Sequence, residues 1–293
     1  MVEDFLKQAP GQKFGSRESR ERALRDKTES PRRKSGVGPV QGWGVHADRT
    51  LGCRYELKYR INESKAQAIT QFMRPYISLD HYSRLQPDKS YPIVSLYLDS
   101  ANLHLCRQTM EGSKNRFKLR IRSYTDDVSY PRFFEIKRRM NAIIIKSRAR
   151  VMNEDVNTLL SVSAPSAQLY AGDAETLRQF QFYVNSIAAR PTVRVRYMRQ
   201  AYEGDSENRV RITFDRQLAY NLSAEATVGM GGPGWKYHPT HDVILEIKFT
   251  DCYPAWLSRM VKCFNLRSRS VSKYVSSVLD SSLAGYCGPR LSV

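Results

Sequence analysis

The chain has 293 residues, 41% of them hydrophobic, and carries 47 Lys+Arg against 29 Asp+Glu for a net charge of +18. That length supports one large core or two modest ones. No apolar run reaches the roughly 18 residues of a membrane span, and no apolar leader opens the chain, so neither a membrane nor an exported protein is expected. The first 53 residues hold 11 basic and 7 acidic side chains, so the excess belongs mainly to the remainder. It favours nucleic acid, an anionic membrane or phosphorylated small molecules as partners. The five cysteines (Cys53, Cys106, Cys252, Cys263 and Cys287) are odd in number, widely spaced and without a CxxC pair. They read as buried free thiols of a reducing, cytoplasmic setting, not as a disulfide scaffold or a zinc site.

Residues 1–50 are rich in Arg, Lys, Glu, Ser and Gly and poor in large apolar side chains. A disordered extension is expected there, with a nucleic-acid-binding arm as the alternative and the folded domain over 51–293. From Arg54 the pattern sharpens into a strand at 54–61, an Asn62 cap and a helix over 63–73 that stops before Pro75. A strand at 92–99 and a short helix at 101–109 follow. Strands at 115–124, 131–139 and 142–151 come next, the last two joined by a tight turn at Met140-Asn141. Helices are predicted over 153–160 and 173–187, the second capped by Asp173. Strands at 191–202, 209–220 and 242–250, a glycine loop at Gly229–Gly234, and helices at 254–264 and 272–283 complete the chain. Hairpin-linked strands with inserted helices indicate an α+β fold with an antiparallel sheet or barrel.

Within the strands, charged side chains recur at every second position: Glu56, Lys58 and Arg60; Arg116, Lys118, Arg120 and Arg122; Glu135 and Lys137; Arg209, Arg211, Thr213 and Asp215; Glu246 and Lys248. A spacing of two places such side chains on one strand face with the apolar residues opposite. For any one strand a solvated outer face accounts for this. Five such faces imply a shared cationic surface, and in a closed barrel they point into a water-filled tunnel. Arg forks and Lys point charges suit successive phosphates, and sparse carboxylates suit a divalent metal bridging phosphate oxygens. RNA binding is disfavoured because the aromatic residues mostly alternate with the cations instead of sharing their face.

Nine segments stand out in order along the chain: Tyr-Glu-Leu-Lys-Tyr at 55–59, Tyr-Leu-Asp-Ser at 97–100, Lys-Leu-Arg-Ile-Arg-Ser-Tyr at 118–124, Phe-Glu-Ile-Lys-Arg at 134–138 and Lys-Ser-Arg at 146–148. Val-Arg-Tyr-Met-Arg-Gln-Ala-Tyr at 195–202, Arg-Ile-Thr-Phe-Asp at 211–215, Leu-Glu-Ile-Lys-Phe at 245–249 and Ser-Lys-Tyr at 272–274 continue the order. Together they resemble the triphosphate tunnel metalloenzyme (CYTH) superfamily, and within it the VTC domain of polyphosphate polymerases. The resemblance implies an antiparallel tunnel-type β-barrel with peripheral helices that makes polyphosphate from ATP. It assigns Arg120, Arg122, Arg148, Arg199, Arg211, Lys248 and Ser272 to substrate binding. Lys58, Lys137 and Lys273 take the catalytic charge, and Glu246 holds Mn²⁺ or Mg²⁺. The implied partners are ATP and inorganic triphosphate or polyphosphate, with no membrane. A metal-dependent triphosphatase or polyphosphate hydrolase and a non-catalytic polyphosphate sensor are the alternatives on the same scaffold.

The chain departs from the superfamily's Glu-x-Glu-x-Lys at Arg54, which removes one potential metal ligand. It also has Ser270 where VTC sequences usually carry a Lys. It shows neither the SPX domain nor the membrane helices of the eukaryotic relatives, so a stand-alone soluble domain is expected. Parity requires that Arg194 and Arg196 face outward if Arg199 faces inward, unless a bulge intervenes. His238 and His241 beside the glycine loop read as a loop pair, with a metal site as the alternative. The loop itself lacks the Lys-Ser/Thr of a P-loop and reads as a flexible lid or hairpin tip.

Overall fold

A computed structural model of the chain describes residues 54–141, 143–161, 172–204, 209–250, 253–283 and 285. The expectations for residues 1–50 and for Cys53, Cys252 and Cys287 lie outside these. The strands are β1 (Arg54–Ile61), β2 (Ser78–Leu79), β3 (Tyr91–Asp99), β4 (Asn115–Ser123), β5 (Arg132–Met140), β6 (Ile143–Val151), β7 (Arg190–Glu203), β8 (Val210–Leu222), β9 (Lys236–Tyr237) and β10 (Val243–Thr250). The helices are α1 (Glu63–Met73), α2 (His81–Leu85), α3 (His104–Met110), α4 (Val156–Ser161), α5 (Ala174–Ser186), α6 (Ala255–Cys263) and α7 (Lys273–Leu279), with a 3₁₀ turn at Asn153–Asp155 before α4. The long elements coincide with those predicted. The short β2, α2 and β9 carry too few residues for a period to show. No helix among the described residues is long and apolar enough to cross a membrane.

Asn62 caps α1 as predicted, its side chain accepting from Lys65 N at 2.9 Å. Asp173 does not cap α5; its carboxylate instead takes Arg150 N and Nε at 2.9 and 2.8 Å. Asn141 has φ of 54° in the tight β5–β6 turn, a left-handed conformation that Asn tolerates.

All strands join one antiparallel sheet in the order β1-β10-β8-β7-β3-β4-β5-β6, with β2 added to β7 and β9 to β8. The sheet curls without closing: among the described residues β1 and β6 are its two ends, and they do not pair. The expected barrel is therefore open along this seam. The segment between α6 and α7 lies against β1 there, with Arg269 N donating to Lys58 O at 2.9 Å, so part of the edge is occupied by chain that is not a strand. Across the concave side Lys137 of β5 meets both carboxylate oxygens of Glu56 on β1 at 3.2 Å.

The convex face carries the apolar half of each alternating strand. Tyr59, Ile212, Phe214, Leu245 and Ile247 pack under α1 and α6 with Ile69, Trp256 and Leu257. Leu96, Leu119, Ile121, Phe134 and Ile136 pack under α4 and α5 with Leu159, Leu177 and Phe180. A third cluster lies on the concave face beneath α7, where Ile93, Tyr97, Val193, Val195, Tyr197 and Tyr220 meet Tyr274 and Val278.

The β7–β8 register shifts between Arg196 and Met198, and the extra residue falls at Gln217, which has φ of 54°. The bulge reverses strand parity, so Asp215 and Tyr220 share the concave side. Arg194 and Arg196 face outward as parity demanded, 5.4 and 4.3 Å from the Trp235 ring centre. Cys106 is buried as expected, whereas Cys263 is exposed at the end of α6.

Asp99 ties three elements together. Fully buried, it accepts from Ser100 N at 2.7 Å, from Leu105 N and Cys106 N at 2.9 Å, and from the Tyr274 hydroxyl at 2.6 Å. It thereby supplies the side-chain cap that Leu103, with φ of 54°, does not give α3. It also fixes α7 to β3. Asp99→Ala strands these donors in a dry site and is expected to lower unfolding stability by about 3 kcal/mol in denaturant titration; a loss under about 0.5 kcal/mol would contradict this anchoring role.

Candidate functional site

The concave face is built from strand rungs. Register places Arg120 of β4 opposite Glu135 of β5, and Glu135 opposite Arg148 of β6. Glu135 has no exposed surface. It receives Arg120 Nε at 2.6 Å, Arg148 Nε at 2.7 Å and Lys146 Nζ at 2.8 Å, with Arg122 Nε at 3.9 Å. Burial pushes its carboxyl up, but Arg120, Arg122, Lys146 and Arg148 overcome that and hold it far below the usual carboxylate range. Arg122 also donates to Ser95 Oγ at 3.2 Å, and Arg148 to the Tyr124 hydroxyl at 3.0 Å.

The facing wall comes from β1, β10, β8 and β7. Lys58 Nζ lies between two carboxylates, 2.7 Å from Glu56 and 3.7 Å from Glu246. Lys248 pairs with Glu246 at 2.8 Å. Burial and the neighbouring Glu246 raise Glu56, but Lys58, Lys137 and Lys248 outweigh both and bring it down to about 2. Arg199 forms a two-pronged pair with Asp215 at 2.7 and 2.8 Å, and Lys273, the first residue of α7, reaches the same carboxylate at 2.6 Å. Arg211 pairs with Asp80 at 2.9 Å and also with Glu203.

The sequence-predicted residues thus gather on one face. Lys58, Lys137, Arg120, Arg122, Arg148, Arg199, Lys273 and Glu246 lie within it, while Arg211 and the more exposed Lys248 stand toward its rim. Ser272 caps α7 through Val275 N and accepts Lys118 Nζ at 2.8 Å. Sequence reasoning missed Glu56, Glu135 and Asp215 as the counter-ions, and Lys118 and Lys146 as members of the set. Their strand parity signalled the face; which cation meets which carboxylate depends on register.

Cations outnumber carboxylates here, and Lys118, Lys137 and Lys146 register it. Burial lowers Lys118 first, and Lys58, Lys137, Arg116 and Arg120 add to it, bringing it to about 7. Burial and Lys58 bring Lys137 to about 8, and Lys146 also falls to about 8, burial first and then Arg120 and Arg148 against the pull of Glu135. Positive charge is in excess on this face, and proton loss from these lysines relieves it.

For a metal, Glu56 and Glu246 are the nearby oxygen donors, and no group of three or more His, Cys, Asp or Glu forms a cage among the described residues. Two carboxylates fit a hard divalent ion that draws its other ligands from phosphate and water. They do not fit zinc. His238 does not extend this set. Its Nδ1 pairs with Asp280 and its Nε2 lies 3.2 Å from Ser277 Oγ. Although that order resembles a nucleophilic triad, Ser277 has no exposed surface and donates to Lys273 O at 2.8 Å, so the three residues anchor α7. The glycine loop is likewise pinned, with Met230 N donating to Asp126 Oδ1 at 2.7 Å and Trp235 Nε1 to Gly231 O at 3.1 Å. Lying between the paired strands β8 and β9, it is the hairpin tip of the two expected alternatives.

The protein is thus of the α+β class, a curled antiparallel sheet with a cation-rich, carboxylate-buttressed concave face. Residues 53–281 match the VTC domain, and the chain belongs to that family. No curated protein matches the chain. Among solved structures, a Bacillus halodurans protein provisionally called an adenylate cyclase is 11% identical over 75% of this chain and 94% of its own, with a TM-score of 0.41. A Pyrococcus horikoshii OT3 protein is 12% identical over 78% and 99%, at 0.39. The Mimivirus capping-enzyme triphosphatase is 12% identical over 73% and 89%, at 0.28. Scores this low carry no argument, and the family match stands without them.

Two outcomes follow from the charge arrangement. Glu135→Gln leaves Arg120, Lys146 and Arg148 facing one another unpaired, and unfolding stability is expected to drop by about 3 kcal/mol; an unchanged denaturation midpoint would contradict the buttress. Lys118 titrates near 10.5 when unfolded and about 7 when folded. Between those values the unfolded chain binds more protons, so the stability of the unliganded protein rises with pH. Melting curves should show this rise between about pH 7 and 9 and a weaker one in Lys118→Met. A wild-type melting temperature that falls over the same range would contradict the assignment.

Proposed function

We propose that this chain is an ATP-dependent polyphosphate polymerase, its catalytic domain spanning 51–293 and residues 1–50 forming an extension, working in the cytoplasm. The observation that carries the reading is the continuous line of cations from Arg148 through Arg120 and Arg122 to Arg199 and Lys273, on one face and short of counter-anions. A linear phosphate chain presents negative oxygens at regular intervals and meets that line without a shape change. VTC membership supports the same substrate class.

In this reading Arg120, Arg122, Arg148, Arg199 and Arg211 hold the phosphates of ATP, with Lys248 and Ser272 at the two ends of the set. The terminal oxygen of a phosphate acceptor attacks the γ-phosphorus of ATP. The bond from that phosphorus to the β–γ bridging oxygen breaks, and ADP leaves with the electron pair. The attacking oxygen is already anionic, so no general base is required. Lys58, Lys137 and Lys273 offset charge as it moves to the leaving oxygen. A divalent ion such as Mn²⁺ or Mg²⁺, held by Glu246 with Glu56 beside it, would supply further charge neutralisation on the phosphate oxygens.

Incubation with ATP and Mn²⁺, followed by assays for long-chain polyphosphate and free phosphate, tests the proposal. Polymer with matching ADP is expected. Phosphate alone would replace the polymerase with a hydrolase, and binding without turnover would replace it with a sensor. Glu246→Gln is expected to cut turnover at least roughly a hundredfold while leaving the protein folded; full activity would remove Glu246 from the mechanism.

A further inference from the structure

Rings and cations share the concave face at two places, beneath α7 and at the end of the face away from it. Where β3 begins, β4 ends and β5 begins, Tyr91, Tyr124 and Phe133 stand on the cationic side, and Tyr82 of α2 joins them. Their ring centres run in series: Tyr82 to Tyr91 at 6.1 Å, Tyr91 to Tyr124 at 6.4 Å, and Tyr124 to Phe133 at 5.7 Å. Tyr82 is 41% exposed, and the other three are half-buried. The opposite end of β3 is covered, since Tyr274 of α7 stacks on Tyr97 at 4.9 Å. The aromatic end is thus the one left clear of α7.

The rings are tied to cations of the tunnel wall. Arg148 lies 4.6 Å over Phe133 and donates to the Tyr124 hydroxyl at 3.0 Å. Arg211 donates to the Tyr91 hydroxyl at 3.4 Å. Rings interleaved with Arg on one face form the arrangement on which a base stacks while its phosphates are gripped.

Resting on the polymerase reading above, we infer that this aromatic lip is the nucleobase platform for the nucleoside triphosphate donor. The nucleotide enters phosphate-first and leaves its base on the lip. Arg148 and Arg211 then sit beside the phosphate nearest the sugar. The platform binds any flat base by stacking and is indifferent to phosphate chains that carry none.

Binding of ATP and of inorganic triphosphate, each measured by calorimetry without divalent metal so that no turnover occurs, tests this in wild type, Tyr82→Ala and Tyr82→Trp. ATP is expected to weaken at least roughly fivefold in Tyr82→Ala and to recover in Tyr82→Trp, with triphosphate affinity unchanged throughout. Phe133→Leu, which keeps an apolar side chain beneath Arg148, is expected to weaken ATP selectively as well. Unchanged ATP affinity in both Tyr82→Ala and Phe133→Leu, with triphosphate still bound, would overturn the platform alone. Parallel losses for ATP and triphosphate would also overturn it, by making these rings part of the phosphate site. A wild-type protein that binds neither ligand would bring down the tunnel reading and this inference with it.

Discussion

The structure depends on holding many like charges on one enclosed sheet face. Carboxylates make this possible by being shared: Glu135 serves cations of β4 and β6, Asp215 joins β7 to α7, and Glu56 joins β1 to β5. Each is a cross-link between elements that lack backbone pairing or pair only with intermediates. The same groups leave the surplus cations unmatched. The face is therefore cross-linked by carboxylates and still carries an excess of positive charge.

Closure follows the same logic. A sheet whose edges hydrogen-bonded fully would be rigid at the seam. Here the β1 edge meets a non-strand segment, and the space between β1 and β5 is spanned by the Lys137–Glu56 pair, whose strength depends on what else occupies the face. Helices α1, α4, α5 and α6 lie on the convex side, where the apolar halves of the strands are. Helix α7 lies on the concave side, and Asp99, His238 and Lys273 hold it there.

Much of this was legible from residue order. Period-two alternation located the long strands within a residue or two, and it assigned the charged face correctly because a one-residue slip would expose every apolar partner. Parity sets Arg199 on the face opposite Arg194 and Arg196, and the resemblance supplied which of the two faces inward. Other features depend on distant partners. Whether β1 pairs with β6 is decided by the curl of the whole sheet, and the Gln217 bulge has no local signature. Arg211 finds Asp80 through α2, a helix too short to show a period. The sharing of Glu135 requires three strands in register. The aromatic lip was obscured because most rings in the chain do alternate with the cations; Tyr91, Tyr124 and Phe133 come together only when β3, β4 and β5 pair.

A crystal structure of the protein with inorganic triphosphate is the most direct measurement. The account predicts phosphate density along the concave face, within hydrogen-bonding distance of Arg120, Arg122, Arg199 and Lys273. A structure at saturating ligand with that face empty, or with phosphates only on the convex or outer surface, would contradict it.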